Sequence, residues 1–202
     1  MRRAAFVLLA LIATVGVSAC SDDPTGPGDP LTTAERALLA QSLFAFGFEA
    51  TATDPPGANA GPAAADFAVQ LDLTVPCPVA GNVDISGSLD GTVDDQSGAL
   101  AFDYVLAQTH QGCVVRSEDG SVELRIDGEP GTTLAYSISA SEGAYEASGT
   151  LEGGVRYTSG DRSGVCTTDL SWSGSGAIDG GGSFSLSGTI CGTSVSTTFS
   201  GT

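Results

Sequence analysis

From residue 66 onward the chain alternates apolar and polar side chains with period two. Phe67, Val69, Leu71, Leu73 and Val75 alternate with Ala68, Gln70, Asp72 and Thr74. Leu100, Phe102, Tyr104 and Leu106 share one face of the next long run, as do Leu134, Tyr136 and Ile138 further on. This is the pattern of half-buried antiparallel strands. Turn signals fall between them at Asp90-Gly91, Asp119-Gly120, Asp127-Gly128 and Asp179-Gly180, and in the glycine run 180–182. The pattern predicts eight or nine strands, near 67–75, 82–91, 99–110, 121–128, 132–140, 144–157, 164–173, 183–191 and 194–200. Short connections make this an up-and-down meander, and a meander of that length curls into a barrel or half-barrel. The expected fold class is therefore mainly β, with one N-terminal α-helix.

The helix is read from residues 33–46. Thr32 and Glu35 have capping-box spacing, and Leu38, Leu39, Leu43 and Phe46 fall on one side. Gly47 is its expected end. Residues 54–65 form a Pro/Gly-rich linker. The helix has too few basic residues for an anionic membrane surface, so docking on the β domain is expected.

Three strand segments echo one another: ISGSLDG (85–91), ASGTLEG (147–153) and LSGTICG (186–192). They put Ile85, Gly87 and Leu89, then Gly149 and Leu151, then Leu186, Gly188 and Ile190 on one apolar face. Their spacing is unequal, so this is shared strand grammar and not a repeat. Glycine there lets the sheet bend or another element approach closely. Those eight residues are the candidate face for helix docking or for a ligand cavity. A barrel of eight strands is either just filled by side chains or holds one small ligand. Leu38, Leu43, Phe44 and Phe46 of the helix are the favoured plug.

Ahead of the helix the pattern is of another kind. Arg2 and Arg3 precede an uncharged apolar run, Ala4 to Val17, followed by Val17-Ser18-Ala19-Cys20. As a helix the run would extend about 21 Å, short of a bilayer core of roughly 30 Å but right for a secretory signal. The four residues ending in Cys20 resemble the lipobox of bacterial lipoprotein precursors. The resemblance implies cleavage after residue 19, a lipid on Cys20 and stable membrane anchoring. SDDPTGPGDP (21–30) reads as an extended tether. The organisation is then a signal peptide (1–19), lipidated Cys20 and tether (20–30), helix and linker (31–65) and a β domain (66–202). Ser21 after the cysteine favours the outer over the inner membrane of the bacterial envelope.

Without residues 1–19, five arginines and no lysine face 24 acidic residues, a formal charge of −19. Such a surface repels nucleic acid and anionic lipid. Export also changes the reading of Cys77, Cys113, Cys166 and Cys191, since an even set in an oxidising compartment forms two disulfides. Sequence proximity favours Cys77–Cys113 with Cys166–Cys191. A hairpin centred between Ile178 and Asp179 would set Cys166 opposite Cys191 but face Leu170 and Trp172 with serines. Slipping by one pairs Trp172 with Phe184 but puts Cys191 on the opposite face from Cys166, so bridge and core conflict unless a bulge intervenes.

Catalytic motifs are missing from the sequence. There is no G-x-S-x-G elbow, phosphate loop or dinucleotide fingerprint, and the one histidine, His110, is in phase with Leu106 and reads as structural. DGTVDDQSG (90–98) is the best calcium candidate, through Asp90, Asp94 and Asp95. It lacks EF-hand spacing and reads first as a solvated turn. No cofactor beyond the lipid on Cys20 is expected. The functional expectation is a non-catalytic, membrane-anchored envelope lipoprotein with a structural or interaction role towards an envelope protein. The alternative is a carrier or sensor of an apolar, lipid-like ligand in a barrel cavity.

Overall fold

Period-two alternation in this chain is sustained over long stretches, and the strands are correspondingly long. The computed structural model describes residues 31–52, 65–94, 96–177 and 180–201, with the side chains of 47–52 and of Ala65 outside that description. Cys20, the signal and tether segments and linker residues 53–64 lie outside the described residues. Among the described residues one helix, α1 (Thr33–Ala52), precedes eight strands. These are β1 (Ala65–Pro76), β2 (Ala80–Asp94), β3 (Ala99–Arg116), β4 (Glu123–Ser141), β5 (Ala144–Ser159), β6 (Arg162–Ala177), β7 (Gly182–Ile190) and β8 (Thr193–Gly201). They form one antiparallel sheet in sequence order, an up-and-down meander. The sheet does not close: among the described residues β1 pairs only with β2, and β8 only with β7. The fold of the described residues is a half-barrel with one helix.

Two expected turns are not turns. Asp90-Gly91 lies inside β2, where Gly91 leaves room for the ring of Phe67 and for Phe102. Asp127-Gly128 lies inside β4, so the stretches 121–128 and 132–140 are one strand. The ladder shifts there, between Asp127 and Gly131 on β4 and between Gln108 and Cys113 on β3. Asp127 stabilises the bulge by accepting the Gly112 N–H (2.9 Å), and Gly131 takes a φ of +93° that other residues resist. A β-carbon at Gly128 would collide with the backbone of His110. The glycines at this site serve a kink, not a chain reversal.

Two of the reversals use two consecutive residues with positive φ. Glu142 (φ 50°) and Gly143 (80°) join Ser141 to Ala144, and Cys191 (49°) and Gly192 (76°) join Ile190 to Thr193. Both are two-residue hairpins whose twist matches that of the strands.

The capping box of α1 forms as its spacing requires. The Thr32 N–H donates to Glu35 Oε2 (2.7 Å), and the Glu35 N–H donates to Thr32 Oγ1 (3.3 Å). The helix runs on through Gly47 to Ala52, past the expected stop. Glycine weakens a helix by only about 1 kcal/mol, and the packing of α1 against β1–β4 outweighs that. Leu39 and Leu43 are fully buried and Phe46 nearly so, whereas Leu38 and Phe44 are only partly covered. The plug is thus Leu39, Leu43 and Phe46. Burial of each contributes roughly 1.5–3 kcal/mol.

Candidate functional site

The inner face is built from one residue in two along each strand. Of the eight residues expected on it, Ile85, Leu89, Leu151 and Ile190 are buried, and Gly87, Gly149, Leu186 and Gly188 are half-buried. Their glycines do not leave a hollow. A β-carbon at Gly87 would strike the Val105 carbonyl oxygen, and one at Gly188 the Asp169 carbonyl oxygen, so both let neighbouring strands close in. Gly149 is different: its missing side chain lets Tyr136 and Trp172 approach across β5, with ring centroids 6.1 Å apart.

That contact belongs to a row of aromatic rings that the alternation alone did not disclose. Phe102, Tyr104, Tyr136, Trp172, Phe184 and Phe199 follow one another across β3 to β8, with centroid separations from 4.5 to 6.4 Å. Tyr104 and Tyr136 are stacked directly (4.5 Å, 16°). Burial raises the pKa of Tyr104. Finding the row requires the register, since its members are scattered over nearly a hundred positions.

Nearer the Cys77–Cys113 bridge the inner face turns polar. Gln108, His110 and Thr132 are almost wholly buried, and Gln108 pairs with Thr132 across β3 and β4. His110 meets the edge of Phe46 (5.7 Å, 72°). Burial holds its pKa down at about 4, against a smaller upward pull from Asp127, so the imidazole is neutral at physiological pH.

Glu35 ties helix to sheet. Its carboxylate accepts hydrogen bonds from Ser159 and Arg162, which flank the β5–β6 hairpin. Burial alone would raise its pKa, but Ser159, Thr32 and Arg162 outweigh this and hold it at about 2.

Both expected disulfides are present, Cys77–Cys113 and Cys166–Cys191, with Cα separations of 5.5 and 4.4 Å. The conflict of registers has a specific resolution. The β6–β7 ladder sets Trp172 opposite Leu186 and Thr168 opposite Ile190, neither of the two expected registers. Cys191 then leaves the strand in a left-handed turn (φ 49°) and donates its N–H to the Thr167 carbonyl (2.8 Å). The turn conformation brings its sulfur to Cys166 without costing the apolar face its phase. Two disulfides imply an oxidising, exported environment.

Of the calcium candidates, Asp90 and Asp94 are turned to other tasks. Asp95 lies outside the described residues. Asp94 is occupied by its own turn, accepting from the Ser97 hydroxyl (2.6 Å) and the Gln96 N–H (2.9 Å), which lower its pKa. Asp90 stands on the outer face of β2, opposite Asp103. Among the described residues no group of three or more His, Cys, Asp or Glu side chains is placed to hold a metal ion.

Among the described residues, open volume lies along the outer face. A groove of about 600 Å³ crosses β3 to β8 between two rows of short side chains. One row is Asp103, Ser137, Ser148, Ser173, Ser185 and Thr198; the other is Ala101, Ser139, Glu146, Ser175 and Ser183. Each member is the direct cross-strand partner of the next. A second stretch of about 480 Å³ shares Ala101 and Asp103 and carries the groove over β2 and β1, past Asp90 and Asp66. Hydroxyls bond along the row, Ser173 to Ser185 at 2.9 Å, and Ser137 donates to Asp103. Its rim offers hydroxyls and carboxylates, and no cation. The sequence signal was present as serine at alternate positions in SWSGSGA and SFSLSGT, but only the register aligns them.

No family model, curated protein or solved structure matches the chain. The geometry therefore carries the functional argument unaided. Among the described residues no helix is long and apolar enough to cross a membrane.

Proposed function

We propose that this chain is an exported, lipid-anchored envelope protein with a non-catalytic interaction role, and that the outer groove is its contact face. One observation supports the reading above others: the chain's own helix occupies the inner face, with Leu39, Leu43 and Phe46 buried. The part of the inner face over β1–β4 is thereby taken, which favours the outer face, where the groove lies, for a partner. The anchor rests on the lipobox resemblance at Cys20, with the outer membrane as destination. A groove rimmed by hydroxyls and carboxylates, over a floor that includes Phe102, Ile138, Ala147, Gly174 and Phe184, suits a partner that brings hydrogen-bond donors or positive charge to the rim.

A specific observation favours a second reading. Phe102, Ile138, Phe184 and Phe199 are only partly covered at the end of the inner face away from Cys77–Cys113, which an apolar ligand could use. Photo-crosslinking residues placed at Ser148 and Ser173 in living cells, with native mass spectrometry of the purified protein, separates the two. The interaction role expects a discrete adduct from the outer positions and an empty protein. No adduct, with a co-purified lipid, would overturn it in favour of a carrier. Labelled fatty acid that fails to enter the chain, or that still enters Cys20→Ser, would remove the anchor.

A further inference from the structure

Antiparallel sheets with open edges invite pairing, and natural edges are blunted by charge, proline or bulges. The two edges here are treated very differently. β1 carries Asp66, Asp72 and Pro76. β8, TSVSTTFSG, has no charge and no proline, and its ladder with β7 runs unbroken from Ile190↔Thr193 to Gly182↔Gly201. No charged residue follows Asp179 in the sequence, although the chain as a whole has a formal charge of −17. Two molecules approaching through β1 would bring aspartates together. Approaching through β8 they bring none.

The hairpin decides which backbone groups are free. A two-residue loop makes Ile190 and Thr193 a hydrogen-bonded pair, so Thr193, Val195, Thr197 and Phe199 bond towards β7. The N–H and C=O groups of Ser194, Ser196, Thr198 and Ser200 therefore point away from the sheet. We propose that these groups bind a second copy of the chain, β8 against β8, antiparallel about a two-fold axis at Thr197.

Only one register uses the whole strand and keeps its faces in phase. With Thr197 opposite Thr197 of the second copy, Val195 faces Phe199 of the second copy, and Ser196 faces Thr198 of the second copy. Apolar meets apolar on the inner side and hydroxyl meets hydroxyl on the outer. A slip of one residue would mix the faces. The inner aromatic row, which ends with Phe184 and Phe199 at 6.4 Å, then continues onto the partner's valine. The Cys166–Cys191 bridge holds the β7–β8 hairpin to β6 and so fixes the edge in place. The Thr198 side chain borders the outer groove, but the pairing uses backbone groups and does not require the groove to be filled.

The test is sedimentation of the intact protein over a wide concentration range, with circular dichroism to confirm folding. The wild type is expected to dimerise. Ser196→Pro and Thr198→Pro each remove an outward N–H without touching the β7 ladder, and should weaken dimerisation at least tenfold while the spectrum and melting temperature hold. In a Cys20→Ser background, Thr197→Cys should cross-link to itself on oxidation, because facing residues of a non-hydrogen-bonded pair lie about 4.5 Å apart, within disulfide reach. Thr198→Cys should not. A wild type that stays monomeric throughout overturns the proposal. So does a dimer indifferent to both prolines, or one in which Thr197→Cys fails to cross-link, since either places the contact elsewhere.

Discussion

Glu35 in the first turn of α1 and Arg162 at the start of β6 form an ion pair across 127 positions of sequence, with Ser159 bonding to the same carboxylate oxygen. The pair is well shielded, with side-chain exposures of 6% for Glu35 and 31% for Arg162. The same carboxylate closes the capping box with Thr32. Glu35 therefore fixes both where the helix begins and where it docks. Glu35→Ala removes one half of the capping box, the bond from the Thr32 N–H, together with the ion pair to Arg162, at an expected cost of about 2–4 kcal/mol. Arg162→Ala, which leaves the cap intact, should cost less. Urea unfolding of the two variants measures the difference; equal losses would show that the Glu35 half of the capping box contributes nothing.

The pH dependence of stability should show two successive losses. The folded pKa of His110 is about 4 against an ordinary value of 6.5, so between these limits the unfolded chain binds the extra proton and stability falls as pH falls. The folded pKa of Glu35 is about 2 against 4.5, so its contribution is complete above pH 4.5 and is lost as pH falls towards 2. Each shift corresponds to roughly 3 kcal/mol. His110→Phe should abolish the upper phase only, and Glu35→Gln should reduce the lower only, since Asp94 and Asp119, whose pKa values are also lowered by hydrogen bonds from their own turns, contribute to it. Melting temperatures from pH 7.5 to 2.5 would show this. An upper phase that persists in His110→Phe would assign it to another group.

How much of this was legible in the sequence depends on whether a feature is local. The period-two runs, the capping box of Thr32 and Glu35, the sequence-adjacent disulfides and the mainly β meander are local, and the structure has them. Asp90-Gly91 and Asp127-Gly128 misled because a dipeptide that favours a turn equally favours a bulge or a close approach. The deciding groups, Phe67, Phe102, His110 and Gly112, lie on other strands. Leu39 replaced Leu38 in the plug because helix rotation is set by the surface it meets. The aromatic row and the outer groove exist only once the register of several strands is known, and β7 took a register that required Cys191 to leave the strand.

That turn makes a distinction between two kinds of cysteine replacement. Cys166→Ala with Cys191→Asn removes the cross-link but keeps a residue that tolerates left-handed backbone. For a bridge separated by 25 residues the loss should be about 3 kcal/mol. Cys166→Ala with Cys191→Val removes the cross-link and also forces a β-branched residue to φ 49°, adding roughly 1–2 kcal/mol. Guanidinium unfolding of the two double variants tests this, and equal stability would mean that the hairpin does not depend on the left-handed residue.

Gly149 offers the most direct probe of the aromatic row, because Trp172 is the only tryptophan and reports on it alone. A β-carbon at position 149 would lie 2.7 Å from both the Trp172 ring and the Tyr136 β-carbon, closer than van der Waals contact permits. It would also crowd the Ala135 carbonyl oxygen, which is backbone and cannot swing aside. Gly149→Ala should therefore displace the indole, change Trp172 emission and destabilise the fold by roughly 1–3 kcal/mol. Gly98→Ala is a useful contrast: position 98 opens to solvent, so its cost arises from a φ of +69° alone and Trp172 emission should not change. If Gly149→Ala left the emission unchanged, the rings of Tyr136 and Trp172 would not meet across β5, and the row would divide there.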